Sequence, residues 1–253
     1  MNKKYDFLID THCHLDFDDY SVDLSEVINR AYLNKVNYLI TISTRVHNFH
    51  KLKAIIDKYD NIYTTIGTHP LNTDEEFGTY DQQDILSISK EPKVVGIGEC
   101  GLDYHYGKDS KDEQKKSFIT QINVARDTNL PLIIHARDAD IDMITILEDE
   151  FKKGSFKAIL HCFSSGRDLA QCGLDLGFYI SFSGIVTFKS AKTIQNIAKI
   201  VPSDKILVET DAPYLAPTPL RGTVNEPKNC YYTARFLSEL RECDYDEKCN
   251  GSY

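Results

Sequence analysis

The sequence lacks the apolar segments that would anchor a chain in a membrane or direct it across one. No run of about 18 apolar residues occurs, so we expect no transmembrane helix. The opening MNKKYDFLID has basic residues but no apolar stretch behind them, which argues against a secretory signal. The seven cysteines are an odd number, and no two of them form a CxxC motif. We therefore expect reduced thiols and a cytoplasmic location.

An excess of positive charge is absent as well. The formal net charge is −9, so the protein as a whole is not steered towards nucleic acid. Binding of DNA would need a local cluster of basic residues or bound cations that reverse the local field. The chain also has no linker, internal repeat or low-complexity stretch, so we expect residues 1–253 to form one domain. Nothing indicates an obligate protein partner, and we expect a monomer.

Eight short runs rich in β-branched and aromatic residues recur along the chain. Most are continuously apolar, which is typical of strands buried on both faces of a parallel sheet. The runs are FLID (7–10), NYLITI (37–42), IYTTIG (62–67), KVVGIG (93–98), LPLIIH (130–135), FKAILH (156–161), GFYISF (177–182) and KILVET (205–210).

Amphipathic segments with a period near 3.6 lie between these runs and predict helices. The clearest cover residues 24–35, 48–59, 112–128, 142–153 and 191–200. Strand and helix thus alternate about eight times, which favours a single (β/α)8 TIM barrel of the α/β class. A doubly wound open sheet is the structural alternative.

Polar residues with chemical potential follow most of the predicted strands. In a barrel, the carboxyl ends of all strands meet at one rim, where catalytic sites are built. Six side chains far apart in sequence would then face one another. These six are His12, His14, Glu99, His135, His161 and Asp211.

Each of these side chains alone has a structural explanation. His12 and His14 are two residues apart on a strand and share a face, but two hydrogen-bonded structural histidines would fit equally well. Glu99 could form a salt bridge, and Asp211 could cap a turn ahead of Pro213. Four imidazoles and two carboxylates at one rim fit two divalent cations better, with Zn²⁺ or Mn²⁺ suiting the mixed ligands more naturally than Mg²⁺.

The segment from Gly96 to Gly101 matches the dinucleotide pattern GxGxxG, but its context does not. That fingerprint needs a helix to begin at once and hold the pyrophosphate. Here LDYHYGKDSKDEQ follows, which predicts a loop first. Glu99, inside the segment, would also repel pyrophosphate, so we do not expect nicotinamide binding.

Three further residues are candidates for substrate binding. His69 precedes Pro70 at a predicted strand end and could meet an anion, although it could equally cap a turn. Arg137 and Arg221 could clamp a phosphate in bidentate fashion, although exposed arginines are usually solvated. His47 and His50 are expected to be surface residues with no part in the chemistry. Cys13, Cys100 and Cys162 are expected to be small packing residues.

The residues that carry these predictions resemble the TatD family of metal-dependent deoxyribonucleases. The match follows the family order along nearly the whole chain. Its stretches are IDTHCHLD (9–16), GTHP (67–70), GIGECGLDYH (96–105), PLIIHARDA (131–139), LHCFSS (160–165), ILVETDAPYL (206–215) and RGTVNEP (221–227).

The resemblance implies a (β/α)8 barrel and a cytoplasmic hydrolase of phosphodiester bonds, with 3′-5′ exonuclease activity on DNA. It places the metal ligands on the same six residues. The sequence also departs from the family pattern. For example, Leu71 stands where relatives often have a second histidine, and the last helix is short. We expect Glu99 to bridge two cations and Asp211 to act as general base. The alternative is a metal-dependent amidohydrolase or lactonase acting on a small molecule.

Overall fold

The computed structural model describes residues 7–243, and within them a single sheet of eight parallel strands runs in the order β1 to β8. Each strand pairs with the next along the chain, as a (β/α)8 barrel requires. The strands are β1 (Leu8–Cys13), β2 (Val36–Thr41), β3 (Ile62–Ile66), β4 (Val94–Asp103), β5 (Leu132–Arg137), β6 (Ala158–Leu160), β7 (Tyr179–Phe182) and β8 (Ile206–Val208).

The last strand returns to the first. The Thr11 hydroxyl donates to the carbonyl of Val208 at 2.9 Å, and the amide of Asp211 donates to the carbonyl of His12 at 2.9 Å. These contacts bring the two ends of the sheet together into a nearly closed barrel. The prediction of a TIM barrel is confirmed, and the open doubly wound sheet is excluded.

Helices cover the outside of the barrel between successive strands. All five helices predicted from the amphipathic segments are present, and four more occur in the described part of the chain. The helices are α1 (Leu24–Leu33), α2 (Phe49–Lys58), α3 (Thr73–Glu76), α4 (Gln82–Ile88), α5 (Lys111–Thr128), α6 (Asp140–Lys153), α7 (Arg167–Asp175), α8 (Lys192–Ile200) and α9 (Cys230–Leu240).

The hydrophobic core lies mainly between the sheet and this helical layer. Ile134 on β5, Phe118 on α5 and Leu147 on α6 are fully buried in its larger cluster. A smaller cluster joins β1 and β2 to α1 and α2 around Leu39 and Ile56. Because full burial of such a side chain contributes about 1.5–3 kcal/mol, this layer holds the strand ends in place.

Strand β4 differs from its prediction. It does not end at Gly98 but continues to Asp103, so Glu99 lies inside the strand rather than at its end. The register with β5 shifts between Ile97 and Cys100, and pairing then resumes through Asp103. This irregularity in the middle of the strand is where Glu99 enters the site.

The glycines of the GxGxxG segment serve this strand. A Cβ at Gly101 would lie 2.1 Å from the carbonyl oxygen of His135, and one at Gly98 would lie 2.7 Å from that of Ile133. Both glycines also have positive φ angles, +133° at Gly101 and +132° at Gly98. The next helix begins only at Lys111, as predicted, so the segment has no helix N-terminus for a pyrophosphate.

Two other predictions concern the chain's relation to membranes and its C-terminal end. Every helix in residues 7–243 is too short or too polar to cross a bilayer. The predicted shortening after the last helix falls on residues 244–253, which lie outside the described residues.

Candidate metal centre

Three of the predicted ligands lie on one side of the Glu99 carboxylate. Its Oε2 lies 3.2 Å from His12 Nε2 and 3.8 Å from His14 Nε2. Asp211 Oδ1 lies 3.6 Å and 3.5 Å from the same two nitrogens. His12 belongs to β1, His14 directly follows β1, and Asp211 lies three residues beyond the end of β8. Closure of the barrel is therefore what brings them together.

The other oxygen of Glu99 faces a second set of imidazoles. Oε1 lies 2.7 Å from His161 Nε2 and 3.1 Å from His135 Nδ1. His69 Nε2 is 3.4 Å from the same oxygen. His69 was predicted as a substrate residue, and the structure places it within this donor set. Glu99 thus separates two groups of donors, and one of its two oxygens faces each group.

These donors fit divalent cations. The Nε2 atoms of His12 and His161 are buried and lack hydrogen-bond partners, despite their closeness to Glu99. Distances that are short without hydrogen-bond geometry are expected where nitrogen lone pairs converge on a cation. Among the described residues, His12–His14–Glu99 and His69–Glu99–His135 each place three donor atoms within 4.8 Å of one another. Imidazole with carboxylate suits Zn²⁺ or Mn²⁺.

The electrostatics of the site follow from burial and from crowding of opposite charges. Burial favours the neutral form of Glu99, yet the nearby charges of His161, His69 and His12 hold its pKa well below the ordinary value. Burial also lowers the pKa of His12 and of His69. For His161, burial is outweighed by Glu99 and Glu209, and its pKa lies well above the ordinary value.

Asp211 is held in its ionised form. Burial raises the pKa of its carboxyl, but the hydrogen bond and charge of His14 outweigh burial, and the pKa lies below the ordinary value. The side chain is 14% exposed, whereas Glu99 is 3% exposed. Asp211 is therefore an ionised carboxylate that reaches the cleft.

Two carboxylates that sequence reasoning missed contact the histidines from behind. Asp103 Oδ2 lies 3.0 Å from His135 Nε2, and Glu209 Oε1 lies 3.3 Å from His161 Nδ1. Glu209 immediately precedes Thr210 and Asp211, and Asp103 ends β4. Both stand near strand ends, which is the signal that could have included them. Carboxylates in this position orient metal-binding imidazoles.

Backbone strain is concentrated around the site. Asp138, Cys162, Asp211 and Leu215 all have positive φ angles, between 42° and 57°, and all line the same cleft. Such conformations cost about 1–3 kcal/mol each, and for Leu215 a positive φ is unusual because the side chain is bulky. The packed barrel holds these residues in conformations that the free chain would avoid.

The cleft above the donors has a volume of about 1850 Å³. Arg137 lines it, with its guanidinium 4.7 Å from the centre of the Tyr106 ring. Arg221 is not among the described residues that line the cleft, and its guanidinium lies 4.4 Å from the ring of Phe188. Of the two predicted phosphate contacts, only Arg137 lines the cleft that contains the donors.

Residues expected to take no part in the chemistry are placed in three ways. His47 and His50 are exposed. Cys13 and Cys100 are fully buried, and the Cys13 thiol faces the carbonyl of Ile40. Cys162 is half-buried and lines the cleft, with its sulfur 3.1 Å from the hydroxyl oxygen of Ser183.

Histidines and carboxylates collect at the strand ends of this parallel α/β barrel, around one central glutamate. This arrangement is that of the metal-dependent hydrolases. Within this class, the model of the TatD related DNase family matches residues 9–250. The chain belongs to the TatD family.

Relatives support this assignment at two distances. An uncharacterized metal-dependent hydrolase, YabD of Bacillus subtilis, is 41% identical over 95% of this chain and 93% of its own length. The protein named 3′-5′ ssDNA/RNA exonuclease TatD, of Escherichia fergusonii, is 30% identical over 88% of this chain and 85% of its own. The crystal structure of YjjV, a TatD homologue from Escherichia coli, superposes with a TM-score of 0.90 at 27% identity, covering 96% and 94% of the two chains.

Proposed function

We propose that this protein is a DNase that hydrolyses phosphodiester bonds with two divalent ions and acts as a 3′-5′ exonuclease. The observation that carries the proposal is the division of donors by Glu99, with one group on each of its oxygens. Two adjacent cations are typical of enzymes that cleave phosphate esters. The relative named as an exonuclease adds support for nucleic acid as the substrate.

His12, His14 and Asp211 would hold one ion, His135 and His161 the other, and Glu99 both. Divalent ions bound there would lower the pKa of an attacking water and offset charge on the phosphoryl oxygens.

The chain's own residues supply the remaining functions. Asp211 accepts the proton of the attacking water, because it is ionised and open to the cleft. His69 lies beside Glu99, where it can donate to a phosphoryl oxygen. Arg137 holds a neighbouring phosphate at the cleft wall. A phosphate contact by Arg221 stays a prediction.

Replacement of the proposed base is the direct test. Asp211→Asn should lower phosphodiesterase turnover by roughly 10²–10⁴-fold, since general bases contribute about that much. Asp204→Asn, an exposed carboxylate in a loop, is the matched control and should retain full activity. Both variants are assayed after metal analysis. Activity of Asp211→Asn within a few-fold of wild type, with the metals bound, would show that the general base is another group.

Substrate class needs its own assay, since an activated water also attacks carbonyl carbon. Bis-p-nitrophenyl phosphate should be cleaved, and model amides and lactones should not. Single- and double-stranded DNA labelled at the 5′ end should then give a ladder that shortens from the 3′ end. Lactone or amide cleavage without phosphodiester cleavage would favour the small-molecule alternative.

A further inference from the structure

The chain from Asp103 to Tyr106 links the metal centre to the wall of the cleft. We propose that Asp103 is a positioning residue that fixes both His135 and the Tyr106–Arg137 pair, which in turn receives the nucleotide next to the scissile phosphate. The role of the pair rests on the function proposed above. The role of Asp103 towards His135 can be tested without substrate.

The first step of the argument concerns the proton on His135. Asp103 Oδ2 lies 3.0 Å from Nε2, while Nδ1 faces Glu99 Oε1 at 3.1 Å. A carboxylate that accepts from Nε2–H keeps the proton on that nitrogen and leaves Nδ1 with a free lone pair. Asp103 thereby selects the tautomer of His135 that can bind a cation beside Glu99.

The second step concerns the other oxygen of the same carboxylate. Asp103 Oδ1 accepts from the backbone amides of His105 at 3.0 Å and of Tyr106 at 2.8 Å. Two amide donors on one oxygen define the direction in which the chain leaves β4. The loop that carries Tyr106 is therefore fixed by the group that orients His135.

Asp103 itself is held firmly. Its backbone amide donates to Gln114 Oε1 at 2.8 Å, and its carbonyl accepts from Gln114 Nε2 at 3.1 Å. Gln114 is fully buried near the start of α5, and Asp103 is 1% exposed. A buried carboxylate with both oxygens bonded cannot rotate without leaving polar groups unpaired. Asp103 therefore presents a carboxylate in one fixed orientation to His135.

The third step concerns what the loop presents to the cleft. Tyr106 is 67% exposed, and the guanidinium of Arg137 lies 4.7 Å from its ring centre. Arg137 is two residues beyond His135 on β5, and its carbonyl accepts from the amide of Tyr104 at 2.9 Å. An exposed ring beside a guanidinium offers a stacking face and a phosphate contact, the two features that bind a nucleotide.

Glu209 provides an internal contrast. Its Oε1 contacts His161 Nδ1, but its Oε2 is buried without a hydrogen-bond partner. Of the two carboxylates behind the histidines, Asp103 is thus the one that also bonds to a cleft loop. This difference predicts that only substitutions at Asp103 affect ion binding and substrate binding together.

The decisive variant is Asp103→Asn. Its amide oxygen can still accept from the two loop amides, but its NH₂ group opposes a proton on His135 Nε2. We expect Zn²⁺ affinity at the site that includes His135, measured by competition with a chromophoric chelator, to fall roughly 10–100-fold. Imidazole ¹⁵N shifts of the metal-free protein, recorded at an alkaline pH where the ring is neutral, should show Nε2–H in the wild type and a shift towards Nδ1–H in the variant, with His135→Gln used to assign the signal.

Two further variants separate the roles. Tyr106→Ala should leave Zn²⁺ affinity unchanged and raise KM for a DNA oligonucleotide roughly tenfold, because stacking of one base is lost. Its KM for bis-p-nitrophenyl phosphate should stay near the wild-type value. Asp109→Asn, an exposed carboxylate in the same loop, should match the wild type in every assay.

Wild-type Zn²⁺ affinity in Asp103→Asn, or Nδ1–H in the wild-type spectrum, would overturn the proposal for His135. The spectrum alone decides if the variant does not fold. An unchanged oligonucleotide KM in Tyr106→Ala would overturn the link to the cleft wall. A wild-type protein that cleaves no phosphodiester would instead contradict the proposed function, and the Zn²⁺ and ¹⁵N measurements would still test Asp103.

Discussion

The floor and the mouth of the cleft are built in different ways. On the floor, His12, Glu99 and His161 are almost fully buried and held by strands or by the residues that directly follow them. At the mouth, Tyr106 and Arg137 are exposed, and their positions depend on a loop and on a strand end. Glu99 and His161 line the same cavity as Tyr106 and Arg137, but the floor residues are buried in the barrel whereas the mouth side chains extend from its edge.

This difference separates two parts of the proposed activity. The same buried donors fit many hydrolytic reactions, so the floor defines a metal-dependent hydrolase and no particular substrate. The choice among phosphodiesters, amides and lactones then depends on the side chains at the mouth. Substitutions on the floor should affect every substrate, whereas substitutions at the mouth should affect large substrates most.

The largest effect should come from Glu99→Gln. The neutral amide removes the charge that faces both donor sets and leaves its NH₂ group among metal-binding nitrogens. We expect loss of at least one bound ion and a fall in turnover of about a thousandfold or more on every substrate. Metal analysis together with turnover of bis-p-nitrophenyl phosphate measures both.

An exposed glutamate on α6 supplies the control. Glu148→Gln removes the same charge from the surface and should change neither metal content nor turnover. If Glu99→Gln kept two ions and near wild-type turnover, Glu99 would not bridge the two ions. The floor would then not be organised around Glu99.

A smaller and more selective effect is expected from the two arginines. Arg137→Ala should raise KM for a DNA oligonucleotide roughly tenfold, because one charge-assisted phosphate contact contributes about 1.5–3 kcal/mol when buried and less when exposed. Turnover of bis-p-nitrophenyl phosphate should change little. Arg221→Ala serves as the comparison, since its guanidinium lies against Phe188 outside the cleft lining. An equal rise in KM for both variants would mean that a long substrate extends past the cleft to Arg221.

The fold was largely predictable because its signal is local. Each of the eight strands overlaps a predicted run, and most of these runs are continuously apolar, as a parallel sheet buried on both faces requires. The end of β4 was mistaken, since Glu99 and the glycines around it are typical of a loop. The strand continues because it regains register with β5 beyond Ile97, a long-range pairing that the sequence of β4 does not contain.

The site was predictable where strands carry it. The six proposed ligands converge because each belongs to a strand or follows one closely, and a barrel brings those positions to one rim. The contact between Asp103 and His135 spans 32 residues and depends on strand register, so periodicity does not reveal it. Arg137 ends β5, whereas Arg221 lies in a turn beyond β8, and the course of that segment cannot be read from the sequence.

The smallest expected effect is on the stability of the chelator-treated protein. His161, on the floor of the cleft, should make that stability depend on pH. The pKa of His161 is raised well above its ordinary value of 6.5 in the folded state by Glu99 and Glu209, against the effect of burial. Its protonated form therefore contributes stability that is fully present below pH 6.5 and is lost as pH rises through the raised pKa. The melting temperature of wild type minus that of His161→Gln should thus decrease as pH rises above neutrality, whereas the exposed His50→Gln should show no comparable trend.

Bound cations need neutral imidazole, so Zn²⁺ should stabilise the wild type more as pH rises over the same range. A difference between wild type and His161→Gln that is constant with pH would show that His161 is neutral in the metal-free protein, and that the floor is organised without that proton.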